Sequence, residues 1–193
     1  MTETTKEKYR LPQGDRLFVA LEVPEDVKTN LNGLQADFPG LKWTPSNNLH
    51  LTLRFIGQVP PTSVEPIQSS LRRVKSRFFR LVFTRLGLFK RKTGDILWAG
   101  VSNEPSLLKL KQQVDETLCV SAGLSLKSET FSPHLTLSRL KKSTSPELTT
   151  KVQAKAIEQF GEFTVTGFTL FRSFLRPSGA IHESVERYTL SPI

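Results

Sequence analysis

Apolar positions along the chain recur at two periods, two residues in some stretches and three to four in others, which predict strands and helices respectively. Residues 16–23 (RLFVALEV) form a short, largely apolar strand. Pro24 suits the first turn of a helix, with Glu25 and Asp26 at the positive end of its dipole. That helix is predicted to reach about Asp37 and to stop before Pro39-Gly40. An extended piece begins at Trp43, and residues 49–56 alternate as a strand closed by Gly57. Thr62 with Glu65 makes a capping box that opens a helix through about Arg77. Residues 79–88 read as a strand, residues 90–95 (KRKTGD) as a basic turn, and residues 96–101 as the returning hairpin strand. Pro105 starts a third helix through about Ala122, stopped by Gly123, and residues 134–140 form another strand. Ser145-Pro146 caps a fourth helix reaching Phe160, with Gly161 beyond it. Residues 163–175 alternate as one strand, pairing with residues 184–190 across a Pro177-Ser178-Gly179 turn.

Each half therefore holds helices, a histidine-bearing strand and a hairpin, an arrangement that predicts a duplicated α+β unit and not a run of βαβ repeats. The duplication is sharpest in a tetrapeptide. His-Leu-Thr-Leu occurs at residues 50–53 and again at residues 134–137, and takes two of the three histidines. Strand alternation places His50, Thr52 and Arg54 on one face, against Leu49, Leu51, Leu53 and Phe55. In the second copy His134, Thr136 and Ser138 oppose Leu135, Leu137 and Arg139. Two matching polar faces imply a cleft between two similar lobes. His182 falls in a predicted turn (GAIHES) and reads as a surface-loop residue.

Composition narrows the partners. The 193 residues suffice for one well-cored domain, and no composition shift divides residues 16–193, so two lobes of a single domain are expected behind a flexible tail at residues 1–15. A net charge of +9 favours a polyanion, with nucleic acid first and an anionic membrane surface second. The lone Cys119 excludes an intramolecular disulfide and a Cys-rich zinc site. The polar, charged N-terminal segment has no signal-peptide character, and no stretch approaches 18 apolar residues, so a cytoplasmic, monomeric protein is expected.

The repeated residues suit acid–base chemistry. With an ordinary pKa near 6.5, one imidazole is expected to be neutral and the other protonated at working pH. The neutral ring takes a proton from water while the other gives one to a leaving alkoxide. Thr52 and Thr136 sit on the same faces and can donate to a phosphoryl oxygen between the lobes. The motif flanks, Asn47, Asn48, Ser132 and Pro133, supply no carboxylate, so no metal is expected. The set suits metal-free phosphoester cleavage, and no activated Ser or Cys nucleophile points to acyl transfer.

These residues resemble the two-histidine phosphoesterase superfamily and, within it, the RNA 2′,3′-cyclic phosphodiesterase (2′-5′ RNA ligase-like) family. The resemblance rests on HLTLRFIGQV at residues 50–59 and FSPHLTLSRL at residues 131–140, and extends over residues 16–190 through LGLFKRKTGDILWAGV and FTLFRSFLRPSGAIHESVERYTL. It implies a bilobal α+β fold whose two antiparallel sheets face a central cleft, with helices outside. It also implies opening of a terminal 2′,3′-cyclic phosphate on RNA to a 2′-phosphomonoester without cofactor, and in some members 2′-5′ joining by the reverse chemistry. By resemblance His50 is the general acid toward O3′, His134 activates water, and Thr52 and Thr136 hold phosphoryl oxygens. Arg139 matches the family's phosphate-assisting arginine; strict alternation puts it on the far face from His134, so that role requires the strand to end or twist there. Phe55 takes the place of an aromatic against the nucleobase. Arg54, on the His50 face, is a further candidate for RNA contact, and Lys90, Arg91, Lys92, Lys141 and Lys142 for the polyanion backbone. The alternatives are a phosphodiesterase for a small cyclic nucleotide, such as ADP-ribose 1″,2″-cyclic phosphate, and a non-catalytic RNA-binding module.

Overall fold

The computed structural model describes residues 14–128, 130–140, 144–155, 159–177 and 179–192. The predicted tail, apart from Gly14 and Asp15, lies outside the described residues, as do Lys141 and Lys142. In chain order the strands are β1 (Asp15–Glu22), β2 (His50–Val59), β3 (Phe79–Phe89), β4 (Ile96–Val101), β5 (His134–Arg139), β6 (Gly161–Val165), β7 (Gly167–Arg176) and β8 (Gly179–Thr189). The helices are α1 (Glu25–Gly33), α2 (Val64–Leu71), α3 (Pro105–Ser121) and α4 (Pro146–Ala154).

All strand neighbours are antiparallel, in the order β6-β3-β4-β5-β2-β1-β7-β8. The order is a palindrome of roles. β5 corresponds to β2, β4 to β1, β3 to β7 and β6 to β8, so the α+β duplication read from the sequence is the symmetry of the sheet. The two four-stranded halves join where Leu51 registers with Leu135, which makes one continuous, curled sheet of the two expected.

Leu17, Val19, Leu21, Leu51, Leu53, Leu97, Leu135 and Leu137 are fully or nearly fully buried on one face of this sheet. Helices cover that face. α3 contributes Leu107, Leu110, Val114 and Leu118, a stripe at helical spacing, and α2 contributes Ile67 and Leu71. Each such side chain contributes roughly 1.5–3 kcal/mol on burial. The motif leucines thus root both histidine strands in the core and leave the opposite face to the histidines and threonines.

Several elements differ from the sequence expectation. Residues 163–175 make two strands, β6 and β7, because the chain changes halves at Thr166: Val165 registers with Phe79, whereas Thr169 registers with Ala20. Alternation survives the crossing, so periodicity could not show it. A Cβ on Gly167 would lie 2.5 Å from Tyr188 O, so the crossing needs a glycine. The helix from Thr62 is short. A 3-10 turn, Pro61–Ser63, precedes α2, and the chain leaves the helix after Leu71 to bridge Arg77 to Ser191. No capping box forms, and the Glu65 carboxylate accepts from Ser69 Oγ at 2.9 Å instead. The fourth helix ends at Ala154, though its Ser145 cap is in place, accepting from Leu148 N at 3.2 Å. Among the described residues no helix is long and apolar enough to cross a membrane.

Candidate active site

β2 and β5 carry their histidines onto the face away from the helices. Around the Leu51–Leu135 pair, antiparallel register sets His50 opposite Thr136 and Thr52 opposite His134. The two imidazoles are then diagonal neighbours across a local two-fold axis, roughly 7–8 Å apart at the backbone in a regular ladder. Each ring is held identically. His50 Nδ1–H donates to Asn48 O at 2.7 Å and His134 Nδ1–H donates to Ser132 O at 2.7 Å. A carbonyl oxygen only accepts, so both Nδ1 atoms carry the proton and both Nε2 atoms are left for other chemistry. Among the described residues neither threonine hydroxyl has a protein hydrogen-bond partner.

Both strands are also interrupted at the same residue. Val19 and Ala20 register with Arg54 and Thr52, skipping Leu53; Leu97 and Trp98 register with Ser138 and Thr136, skipping Leu137. The last motif leucine is therefore a bulge in each copy. The next residue turns to the core side, and the one after it returns to the histidine face. Arg139 and Phe55 thus come to that face, both exposed.

The same bulge overturns the placement of Arg54. Strict alternation put it beside His50, but it is buried at 6% exposure against α3, with Nε 2.6 Å from Asp115 Oδ1 and Nη1 3.0 Å from Lys127 O. It pairs with both Asp115 oxygens and is not available to RNA. Its counterpart Ser138 likewise turns inward and donates to Lys42 O at 2.9 Å.

Aromatic rings floor both halves. In the first, Phe18 lies 4.8 Å from His50 and 5.8 Å from Phe55, and stacks on Phe171 at 5.2 Å. In the second, Phe89 meets His134 edge-on at 4.8 Å and Trp98 at 5.0 Å. The indole lies across Gly87, where a Cβ would come within 2.1 Å of it. His182 is not a turn residue. β8 begins at Gly179, and His182 stands edge-on to His50 at 5.2 Å and to Phe18 at 4.9 Å. Its neighbours GAIHES have turn-like composition, so the extension of β8 was legible only from the length of its partner β7.

Charge around the site is one-sided. Arg91 and Arg139 are near enough to act on each other and on His134. Partial burial and then Arg91 hold the Arg139 guanidinium below its ordinary value. Lys90 contributes less than the sequence suggested, because its Nζ is 3.0 Å from the buried Asp95 carboxylate. That carboxylate also accepts from Arg91 N at 3.2 Å and Thr144 N at 2.7 Å, stapling the β3–β4 turn to the chain after β5. Lys92 is exposed and has no ion-pair partner among the described residues. Burial, and after it the His182 ring, push the His50 imidazolium down to about 4, against the opposing pull of the Asn48 carbonyl. Burial, then Arg139 and Arg91, lower His134 as well, while the Ser132 carbonyl opposes them. Both rings are consequently neutral at pH 7 in the free protein. An anion in the cleft would favour a proton on either ring. Among the described residues no three His, Cys, Asp or Glu side chains converge as a metal site.

The model of the family described as LigT like Phosphoesterase matches residues 21–98 and 100–182. The RNA 2′,3′-cyclic phosphodiesterase of Archaeoglobus fulgidus is 31% identical over 174 residues, covering 88% of this chain and 97% of that protein. The RNA 2′,3′-cyclic phosphodiesterase of Thermotoga maritima is 32% identical over 179 residues, covering 87% of this chain and 91% of its own. The crystal structure of E. coli LigT in apo form superposes with a TM-score of 0.76 at 22% identity over 93% of this chain and 99% of that chain, which shows the shared fold.

Proposed function

Because the chain belongs to the LigT-like phosphoesterase family, we propose that it is an RNA 2′,3′-cyclic phosphodiesterase that opens the terminal cyclic phosphate to a 2′-phosphomonoester without a metal. The observation that carries the reading is the pair of imidazoles, related by the local two-fold axis, with each Nδ1–H taken by a backbone carbonyl and each Nε2 unencumbered.

The substrate phosphate sits between the two rings, held by the Thr52 and Thr136 hydroxyls and by Arg139. Its negative charge favours a proton on the ring nearest the leaving oxygen. His134 Nε2 accepts a proton from the attacking water as its oxygen bonds to phosphorus. The phosphorus–O3′ bond breaks, and protonated His50 gives its Nε2 proton to O3′. The product keeps the phosphate on O2′. His134 ends protonated and His50 neutral, and exchange with solvent resets the pair. Each proton transfer contributes typically about 10²–10⁴-fold. When an RNA 5′-hydroxyl replaces water, the same steps form a 2′-5′ linkage.

Phe55, exposed and backed by the buried Phe18 ring, offers apolar surface to the terminal base. Arg91 and Lys92 receive the preceding phosphates. The test is hydrolysis of a short RNA ending in 2′,3′-cyclic phosphate, with EDTA present and the product isomer identified. Release of the 2′-phosphate is expected. A 3′-phosphate product would show that the bond to O2′ breaks and refute the stated cleavage, and absence of turnover with intact fold would refute the reading.

A further inference from the structure

The geometry points to His182 as a positioning residue that acts through His50, adding to the effect of burial by opposing a proton on the flanked ring until a phosphate anion enters the cleft. The inference rests on the reading of His50 as the proton donor to the leaving oxygen.

Three observations carry it. First, β8 holds His182 opposite Ser173 and turns its ring against both His50, at 5.2 Å and 88°, and Phe18, at 4.9 Å and 76°. Second, His182 Nδ1 is buried and has no hydrogen-bond partner among the described residues. Unlike His50 and His134 it has no carbonyl to draw a proton onto Nδ1, so the neutral ring is free of the constraint that fixes the other two. Third, one residue ties the pair together. Asn48 accepts from His50 Nδ1 through its backbone oxygen and donates from its side-chain Nδ2 to Ala180 O at 2.8 Å, two residues before His182. The hairpin and the ring it flanks are set by the same bracket.

The charges that face this pair are nearly all positive. Arg16 on β1 acts on His182. Arg139 and His134 on β5, and His182 on β8, act on His50. The one carboxylate in register with His50 is Glu22 on β1, and it is engaged elsewhere, accepting from Thr169 Oγ1 at 3.2 Å and lying 3.6 Å from Arg187 Nη1. Two imidazolium rings 5.2 Å apart without a counter-charge repel, so a proton on His182 opposes one on His50 in the free site. An anionic phosphodiester supplies the missing charge. Occupancy of the cleft thereby favours protonation of the donor.

The experiment is an NMR titration of the imidazole Cε1–H signals in the full chain, compared with His182→Phe and His182→Gln. Phe keeps the ring contact with Phe18, and Gln decides the matter if Phe does not fold. Removing the neighbouring charge is expected to move the His50 midpoint upward by about one pH unit, leaving His134 in place. Inorganic phosphate is expected to raise the His50 midpoint in the unsubstituted protein. A His50 midpoint unmoved in a folded variant, or His134 moving equally, would overturn the inference, as would indifference of His50 to phosphate. In the pH profile of kcat/KM on the cyclic-phosphate RNA, the limb displaced by His182→Gln belongs to His50. Because the titration needs no turnover, a shifted midpoint without hydrolysis would refute the phosphodiesterase reading and leave the His182–His50 coupling standing.

Discussion

Replacing Arg54 by Met should destabilise the fold measurably, although Arg54 lies on the far side of β2 from the chemistry. The guanidinium is 6% exposed and grips both oxygens of Asp115, whose own side chain is 24% exposed. Burial alone would raise the Asp115 carboxyl; Arg54 and Lys111 overcome that and hold it below its ordinary value. Removing one partner of a buried pair costs about 3–5 kcal/mol, chiefly from the charge left behind. Asp115 keeps Lys111 and some water, so the cost falls at the low end, about 3 kcal/mol. For a domain of this size that corresponds to a fall in Tm of about 6–12 °C. Asp115→Asn should cost more, because it strips the counter-charge from two cations, Arg54 and Lys111, whose side chains are 6% and 10% exposed. The assay is calorimetric unfolding at pH 7, with the cyclic-phosphate hydrolysis rate measured alongside. Arg54→Met within about 2 °C of the unsubstituted protein, or milder behaviour of Asp115→Asn, would refute the picture of a clamp beneath the bulge.

Other outcomes follow from the same geometry. His50→Ala and His134→Ala should each lower kcat by roughly 10²–10⁴-fold with little change in Tm, and the idea is sunk if either keeps near-original rates. Stability should rise between pH 4 and 6.5: the unfolded chain protonates His50 near 6.5 and the folded one only near 4, so acidification through that window favours unfolding by up to about 3 kcal/mol. Urea unfolding of His50→Gln at pH 5 and pH 8 checks this, since the substitution should flatten the difference. Gly87→Ala, whose Cβ would overlap the Trp98 ring, should displace the indole and cost about 1–3 kcal/mol, read as a fluorescence change together with a lower Tm. Arg91→Ala should weaken RNA binding and reduce the slope of log K against log salt by about 0.7, as expected for one lost single-strand phosphate contact.

Most elements were legible because their signals are local. The hairpin at residues 96–101 and the helix from Pro105 follow from turn chemistry, an N-terminal proline and apolar spacing, and the structure places them within a residue of the reading. The pairing of the two histidine faces was legible because the motif is repeated. What escaped depends on partners distant in sequence. A bulge is an offset between two strands, and neither strand alone records it, so alternation misplaced Arg54 beside His50. For Arg139 the family resemblance demanded a twist that the residues themselves did not show. His182 escaped for a related reason: its neighbours have turn composition, and only pairing with β7 draws them into a strand.

The crossing at Thr166 orders the assembly of the molecule in time. β3 to β6 form one contiguous stretch whose first and last strands lie side by side, Phe79 in register with Val165. The other half is split, because β1 and β2 await β7 and β8 to complete their sheet. During synthesis the inner half can close on itself first, while Phe18 and Leu17 stay without Phe171 and Arg172 until nearly the whole chain has emerged. The half bearing His50 and His182 is then the late one, and a nascent chain arrested before β7 would display half a cleft and an apolar β1 edge to whatever chaperone is at hand.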